Sequence, residues 1–390
     1  MKLTFIMDGN FSECNGRVIS PHMHYEAFAG RFARSFDAIE IVGRAFPASQ
    51  ARGLAVEGNG VRFTRLPNYR GAIGLLRSIP AIFRSLRKAV SQAEVIVLRF
   101  PGNIAIVALL ICLTSRRRFT VEVVADPVEY FRKGASNHPL RTVSRFVHKF
   151  FTKYAAKNAE VVRYVTHKYL QEKYPPGRAE VAFGFTDVYL PVKSCGLEQK
   201  IARDVPLLIN VAMMHNSSKG HADLMQAVAL LKREGVICRL QLIGDGRLRP
   251  ELEKLAEALS ISELVVFSGV VAPSEKVWRE LGNADLFVLP SYQEGMPRSL
   301  LEALMLGIPA LTSDVGGIPE VMVANLMLEA GNVSEIAAKI KYALSPNSRS
   351  LHEECFGHAS YYCIDHVENE FPRYIAKLKE NWPSTVQVRP

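Results

Sequence analysis

Short apolar stretches alternate in this chain with longer segments whose apolar residues recur at helical spacing, and the alternation runs through twice. In the first half, residues 3–7, 38–42, 94–98, 119–124 and 160–163 read as strands, and 74–90, 102–114 and 140–158 read as helices between them. After an irregular stretch rich in Gly, Pro and charge, the pattern restarts. Strands are expected at 207–213, 238–244, 264–267, 285–290 and 309–312, with helices over 219–232, 250–259 and 297–306. Strand, helix, strand in series predicts a parallel sheet covered by helices, because parallel neighbours need a crossover between them. At 390 residues the chain exceeds what one hydrophobic core organises. Two doubly wound α/β domains are therefore expected: residues 1–185, a linker at 186–205, a second domain at 206–362, and a tail at 363–390 with one more helical pattern over 364–379.

Composition narrows the class. With 48% hydrophobic and 22% charged residues the chain reads as soluble and globular. Its opening, MKLTFIMDGN, has one Lys and runs into Asp8, without the apolar core and small-residue cleavage site of a signal peptide, so it reads as a first strand. The apolar run at 102–114 falls short of the roughly 20 residues that cross a bilayer as a helix, and a buried helix is expected there. Cys14, Cys112, Cys195, Cys238, Cys355 and Cys363 form no C-x-x-C pair and no zinc-ligand spacing with His, which points to reduced thiols in the cytosol. His148, His167, His215 and His221 are not grouped as metal ligands and read as surface or packing residues. The net charge of +10 is unevenly shared: residues 1–190 carry +14 and the remainder −4. Either the first half faces an anionic partner such as a lipid surface, a nucleic acid or a phosphorylated substrate, or it has a generally basic solvated face. Arg116, Arg117 and Arg118 are the cluster at which peripheral attachment to an anionic membrane is expected.

The residues that carry chemistry concentrate in SYQEGMPRSLLEALMLGIPALTSDVGGIPE, residues 291–320. Pro297 suits the first turn of a helix, and Gly295 lets the backbone before it turn sharply or approach a ligand. Glu294 then lies in a loop after a strand, and Glu302 about five residues, or ~7.5 Å, into the following helix. Spacing alone is uninformative, because Glu172 and Glu180 have the same separation across Pro175-Pro176-Gly177. Context is more telling: Glu302 sits in an otherwise apolar run, where a carboxylate needs a partner, either Arg298 one turn earlier or a polyol such as a ribose. Lys219-Gly220, after the polar turn Asn216-Ser217-Ser218, brings an ammonium and a helix start together, as a diphosphate requires. Asp245, between Gly244 and Gly246, is a further ligand candidate. Gly9 and Gly16 frame a polar loop after the first strand, and Asp126 and Glu129 follow the strand at 119–124.

The ordered series NVAMMHNSSKGHADLMQA, LQLIGDG, VVFSGVV and ADLFVLPSYQEGMPRSLLEALMLGIPALTSDVGGIPEVM resembles the nucleotide-sugar domain of the family 4 retaining glycosyltransferases over about residues 205–345. That resemblance implies the GT-B fold, two Rossmann-like domains facing a central cleft, and transfer of a sugar from a UDP- or GDP-sugar without metal or other cofactor. It implies that Glu294 lies against the transferred sugar, Glu302 binds the donor ribose and Lys219 meets the diphosphate, with Gly295, Arg298, Asp245 and Gly16 on the donor side. Asp126 and Glu129 are placed on the acceptor or sugar side, where relatives have a His and this chain has Ala125 before Asp126. The Arg that the family commonly has before the Lys is replaced by the stretch Val211-Ala212-Met213-Met214, and Arg298 or the helix start near Pro297 is expected to compensate. The chain has no Asp-x-Asp to hold a divalent ion. The expected activity is hexosyl transfer to a lipid-linked or polysaccharide acceptor, as in bacterial surface-polysaccharide biosynthesis, with peripheral contact at the cytoplasmic membrane face through the basic half and no nucleic acid partner. A GT-B epimerase or phosphorylase is the same-fold alternative. A non-enzymatic membrane-surface protein leaves Glu302 unexplained, and an NAD-dependent dehydrogenase lacks a complete G-x-G-x-x-G.

Overall fold

A computed structural model describes residues 1–9, 11–21, 23–48, 53–69, 71–131, 140–188, 204–271 and 274–382. Cys195 and most of the expected linker at 186–205 lie outside the described residues. The chain divides into two compact units, one of Met1–Ala125, Val147–Asp187 and Glu368–Pro390, the other of Asp126–Phe146 and Val188–Val367. The final helix, whose destination the sequence pattern does not reveal, thus belongs with the first unit.

The first stretch of chain forms β1 (Lys2–Ile6), β2 (Phe11–Cys14), β3 (Arg17–Ser20), α1 (Gly30–Ala33), β4 (Ala38–Gly43), β5 (Ala45–Pro47), β6 (Leu54–Ala55) and β7 (Val61–Arg65). It continues through α2 (Gly71–Gln92), β8 (Val95–Phe100), α3 (Asn103–Thr114), β9 (Thr120–Val123), α4 (Pro127–Tyr130), α5 (Arg141–Asn158), β10 (Val161–Tyr164), α6 (Tyr169–Lys173) and β11 (Ala182–Gly184). Seven strands pair in the order β11-β10-β9-β8-β1-β4-β7, and every pairing is parallel. All six positions of β8 are buried, the pattern of a strand covered on both faces. Right-handed crossovers put α1 on one face and α2, α3, α5 and α6 on the other, because the chain first moves towards β7 and then returns towards β11.

The segment after β1, expected to be a polar loop, is instead a hairpin. β2 and β3 pair antiparallel, and β5 and β6 complete a small sheet in the order β5-β2-β3-β6. Asn15 and Gly16 form its turn with φ of 51° and 75°, the left-handed pair that a two-residue hairpin turn requires. The four-residue strands carry only three buried side chains between them, too few for alternation to register in the sequence.

Charge is built into the core of this unit. Arg99 on β8, Glu122 on β9 and Arg163 on β10 are direct register partners across three adjacent strands. Glu122 accepts from Arg99 at 2.9 Å and lies 3.0 Å from Arg163, while Asp187 takes Arg99 and Arg163 at 2.6 Å each and Arg31 at 3.2 Å. Burial pushes the Asp187 carboxyl up, but the three guanidiniums outweigh it and hold the group well below the usual carboxylate range. The last helix, α13 (His366–Asn381), completes the cluster: Tyr374 donates to Glu122 at 3.4 Å and packs on Phe183 and Phe185, and Phe371 packs on Phe32.

The second unit carries β12 (Leu207–Val211), α7 (His221–Arg233), β13 (Arg239–Ile243), α8 (Arg249–Ala258), β14 (Val265–Gly269), α9 (Ser274–Asn283), β15 (Leu286–Leu289), α10 (Arg298–Met305), β16 (Ala310–Ser313), β17 (Met327–Leu328), α11 (Val333–Ala343) and α12 (Arg349–Ser360). Its parallel sheet runs β14-β13-β12-β15-β16-β17. The order reverses between β12 and β15, where the buried Asn210 amide donates to Val288 O at 2.7 Å.

Glu122→Leu removes a carboxylate 1% exposed and leaves two buried guanidiniums short of charge. A loss of about 3–5 kcal/mol in unfolding free energy is expected from urea titration, while a change below about 1 kcal/mol would contradict a structural role for the cluster.

Candidate functional site

In an open parallel sheet, loops beyond the carboxyl ends of the strands meet ligands where the strand order reverses. In the second unit that point lies between β12 and β15, and their two loops are tied together. After β12 the chain makes a 3₁₀ turn, Ser217–Lys219, whose start is capped by Asn216: its Oδ1 accepts from Ser218 N–H at 3.0 Å and from Ser218 Oγ at 2.5 Å. Gly220 follows with φ of 64°, and a Cβ on it would lie 2.1 Å from Pro290 O in the second loop. Only glycine lets the loops pass so closely. Tyr292 N–H then donates to Ser218 O at 2.8 Å.

This contact aligns the side chains. Lys219 Nζ donates to Glu294 Oε1 at 2.7 Å, and Ser291 Oγ donates to the same oxygen at 2.7 Å. Glu294 is buried, whereas the Lys219 side chain is 27% exposed. One ammonium N–H meets Glu294, and two more point elsewhere. Helix α7 starts at His221, two residues later than the sequence pattern suggests, so Lys219 stands just before it. Neither α7, with Gly220 at its N-cap, nor α10, with Pro297 at its N-cap, has a side-chain cap at its N-terminus. Their first-turn N–H groups and positive helix ends suit an anion. Pro297 occupies the cap position rather than the first turn.

A third loop supports the second. Gly316 has φ of 62°, and a Cβ there would lie 2.1 Å from Glu294 O; Gly317 N–H donates to Gly295 O at 2.6 Å. Gly295 itself is not among the glycines with positive φ. Tyr292, Asp223 and Ser291 also belong to the site although sequence reasoning did not single them out. Burial raises the Asp223 pKa and the Tyr292 hydroxyl bonds it, fastening α7 to the Glu294 loop. Tyr292, Ser291, Gly316 and Gly317 all fall inside the 291–320 segment, so position in that segment was the available signal.

The other expected residues take varied places. Glu302 lies on α10; burial raises its pKa, and Arg298 and Trp278 pull it back down. Asp245 turns onto its own loop, accepting from Gly246 N–H at 2.8 Å and lying 3.6 Å from Arg249. Gly16 belongs to the hairpin of the first unit, its carbonyl accepting from Arg65 at 3.1 Å. Asp126 is buried and caps α4, accepting from Val128 N–H at 2.8 Å, with Glu129 half-buried on that helix. Among the described residues no group of three or more His, Cys, Asp or Glu is placed to hold a metal ion.

Two outcomes follow from this geometry. Gly316→Ala forces a side chain into left-handed backbone and against the Glu294 carbonyl, so a stability loss of at least about 1–3 kcal/mol is expected by denaturation, and an unchanged midpoint would contradict the packing. Burial, reinforced by Lys219, lowers the His221 pKa from 6.5 to about 4. Above pH 6.5 the ring is neutral in both folded and unfolded chains. Between 6.5 and 4 only the unfolded chain takes up the proton, so stability falls with falling pH by ~1.4 kcal/mol per unit from this residue. His221→Asn should flatten that slope in urea titrations at successive pH values; an identical slope would contradict the assignment.

Residues 205–345 match the family described as Glycosyl transferases group 1. The chain is 27% identical over 261 residues to Protein CapJ of Staphylococcus aureus, covering 67% of this chain and 65% of that one. It is 35% identical over 108 residues to the Vi polysaccharide biosynthesis protein VipC/TviE of Salmonella typhi, covering 27% and 18%. The chain thus spans less than two thirds of the length of the curated relatives it matches. The structure of Anabaena Alr3699/HepE in complex with UDP-glucose superimposes with a TM-score of 0.67 over 99% of this chain and 100% of that one, at 14% identity, which is a likeness of fold. The loops that bring Lys219 to Glu294 lie within the matched segment, and residues 205–345 are a domain of the glycosyl transferases group 1 family in a chain with the fold of the GT-B glycosyltransferases.

Proposed function

We propose that this protein is a retaining glycosyltransferase that takes a nucleoside-diphosphate sugar as donor. The observation that carries the reading is the Lys219–Glu294 pair, set beside two uncapped helix N-termini at the strand-order reversal of the group 1 domain. As the bond from the anomeric carbon to the diphosphate oxygen breaks, negative charge grows on the diphosphate. The Lys219 ammonium and the first turns of α7 and α10 stabilise that charge without a metal, and Arg298 supplies a second cation. Glu294 has one oxygen engaged by Lys219 and Ser291, and this arrangement suits a group that orients the sugar by accepting its hydroxyls rather than one that attacks it. Retention requires the acceptor oxygen to enter on the face the diphosphate leaves. Glu302, whose pKa is raised by burial, accepts the ribose hydroxyls, with Gly295 and Asp245 on the donor side.

A nucleotide-sugar donor, a UDP- or GDP-sugar, is in keeping with the fold likeness to a protein solved with UDP-glucose. A role in surface-polysaccharide assembly is supported by the relative named for Vi polysaccharide biosynthesis, and we propose with it a lipid-linked or polysaccharide acceptor reached at the cytoplasmic membrane face. No helix among the described residues is long and apolar enough to cross a membrane, so contact of the peripheral kind is proposed.

Incubation with a panel of UDP-, GDP- and ADP-sugars, scoring nucleoside diphosphate release, tests the reading. Turnover of one donor is expected, with kcat about 10²–10³-fold lower in Lys219→Ala. Turnover of none, or full activity in Lys219→Ala, would overturn it. Unchanged donor affinity in Arg298→Ala would remove Arg298 from the charge balance, and a trapped sugar–Glu294 adduct would make Glu294 the nucleophile.

A further inference from the structure

Helices α2 and α5 contain no Asp or Glu. Both nevertheless turn large apolar side chains outward. On α5, Phe146, Phe150 and Tyr154 recur every four residues, with Phe146 61% and Phe150 62% exposed. Beside that row, Lys149, Lys153 and Lys157 recur at the same interval and are also exposed, while His148, Thr152, Ala155 and Ala156 face inward. The Phe150 and Tyr154 rings stack at 6.1 Å, and Arg145 lies 5.4 Å over Phe146. On α2, Ile73, Leu76 and Phe83 are exposed in the same way, among Arg77, Arg84, Arg87 and Lys88. Right-handed crossovers place α2 and α5 on the same face of the first sheet.

We infer that this face is a docking surface for an anionic lipid bilayer, with the aromatic row of α5 seated among the lipid headgroups and the lysines on their phosphates. Charge complementarity commits it to that occupant: an acid-free helix with one apolar row and one cationic row matches a surface that is at once apolar and negative. The phosphates of a nucleic acid would engage the lysines and leave the neighbouring apolar row in water. The arginines first singled out at 116–118 are partly used within the fold, since Arg117 donates to Ala93 O and Arg118 to Asn381 O. The inference deepens the membrane-face part of the proposed function but is tested without donor or acceptor, so its failure leaves the transferase reading standing.

The test is vesicle flotation of the full chain with pure phosphatidylcholine and with phosphatidylcholine containing about a third phosphatidylglycerol, at low and high salt. Binding only to the anionic vesicles is expected. Phe146→Ser/Phe150→Ser should weaken it at least about tenfold at both salt concentrations, and Lys149→Gln/Lys153→Gln/Lys157→Gln about a hundredfold at low salt. Thermal melting checks that each variant folds. Absence of binding to anionic vesicles, or equal binding by both variants and the parent chain, overturns the inference. So does a dimer in solution that Phe146→Ser/Phe150→Ser dissociates, which would make the face an interface between copies, or stronger binding to duplex DNA or RNA than to vesicles.

Discussion

The ammonium of Lys219 and the carboxylate of Glu294 are 75 residues apart in the chain and meet because β12 and β15 are neighbours where the second sheet reverses its strand order. Everything else at the site serves that juxtaposition. Gly220 is required because the first loop passes against Pro290, Gly316 because the third loop passes against Glu294, and the Tyr292–Ser218 bond sets their register. The strands bring two helix starts to the same carboxyl end of the sheet, so positive potential comes from backbone as well as from a side chain. An anion placed there meets groups whose positions were fixed when the sheet formed.

The first unit solves a different problem. Its strands β8, β9 and β10 are buried at every position yet each carries a charge, compensated by a register neighbour or by Asp187. Asp187 is the last residue of the unit before the chain passes to the second, and Tyr374 stands in the helix that returns. The cluster therefore secures both ends of the excursion within the first unit. It also changes the meaning of the +14 charge of residues 1–190. Arg99 and Arg163 are buried, Arg31 is paired with Asp187 and Arg117 bonds backbone, so part of that charge is spent inside the fold, while α2 and α5 present exposed cations on helices that contain no acid.

Much of this was legible in the sequence. Parallel strands read as continuous apolar runs, and alternation with helices left one fold class, so the inner strands of both parallel sheets follow from periodicity, whereas the short or half-exposed edge strands β7, β11 and β17 were not among the expected runs. Lys219 and Glu294 were legible as residue types in a strand–turn–helix context, but their contact was not, since nothing local says that β15 lies beside β12. Glu302 shows the limit of spacing, because Glu172 and Glu180 share its interval with Glu294. The hairpin at Asn15-Gly16 was missed because its strands are too short to show a period, and the buried arginines because a charge within an apolar run reveals no partner strand. The exposed rows of α2 and α5 have the same helical spacing as a core face; only burial shows which way they point.

The claim that the Lys219–Glu294 site holds a nucleoside diphosphate is tested most directly by thermal shift of the parent chain and Lys219→Ala with UDP, GDP, ADP and NAD. The account predicts that one nucleoside diphosphate raises the melting temperature of the parent chain and that Lys219→Ala abolishes the shift. Stabilisation by NAD alone, or an undiminished shift in Lys219→Ala, would contradict it.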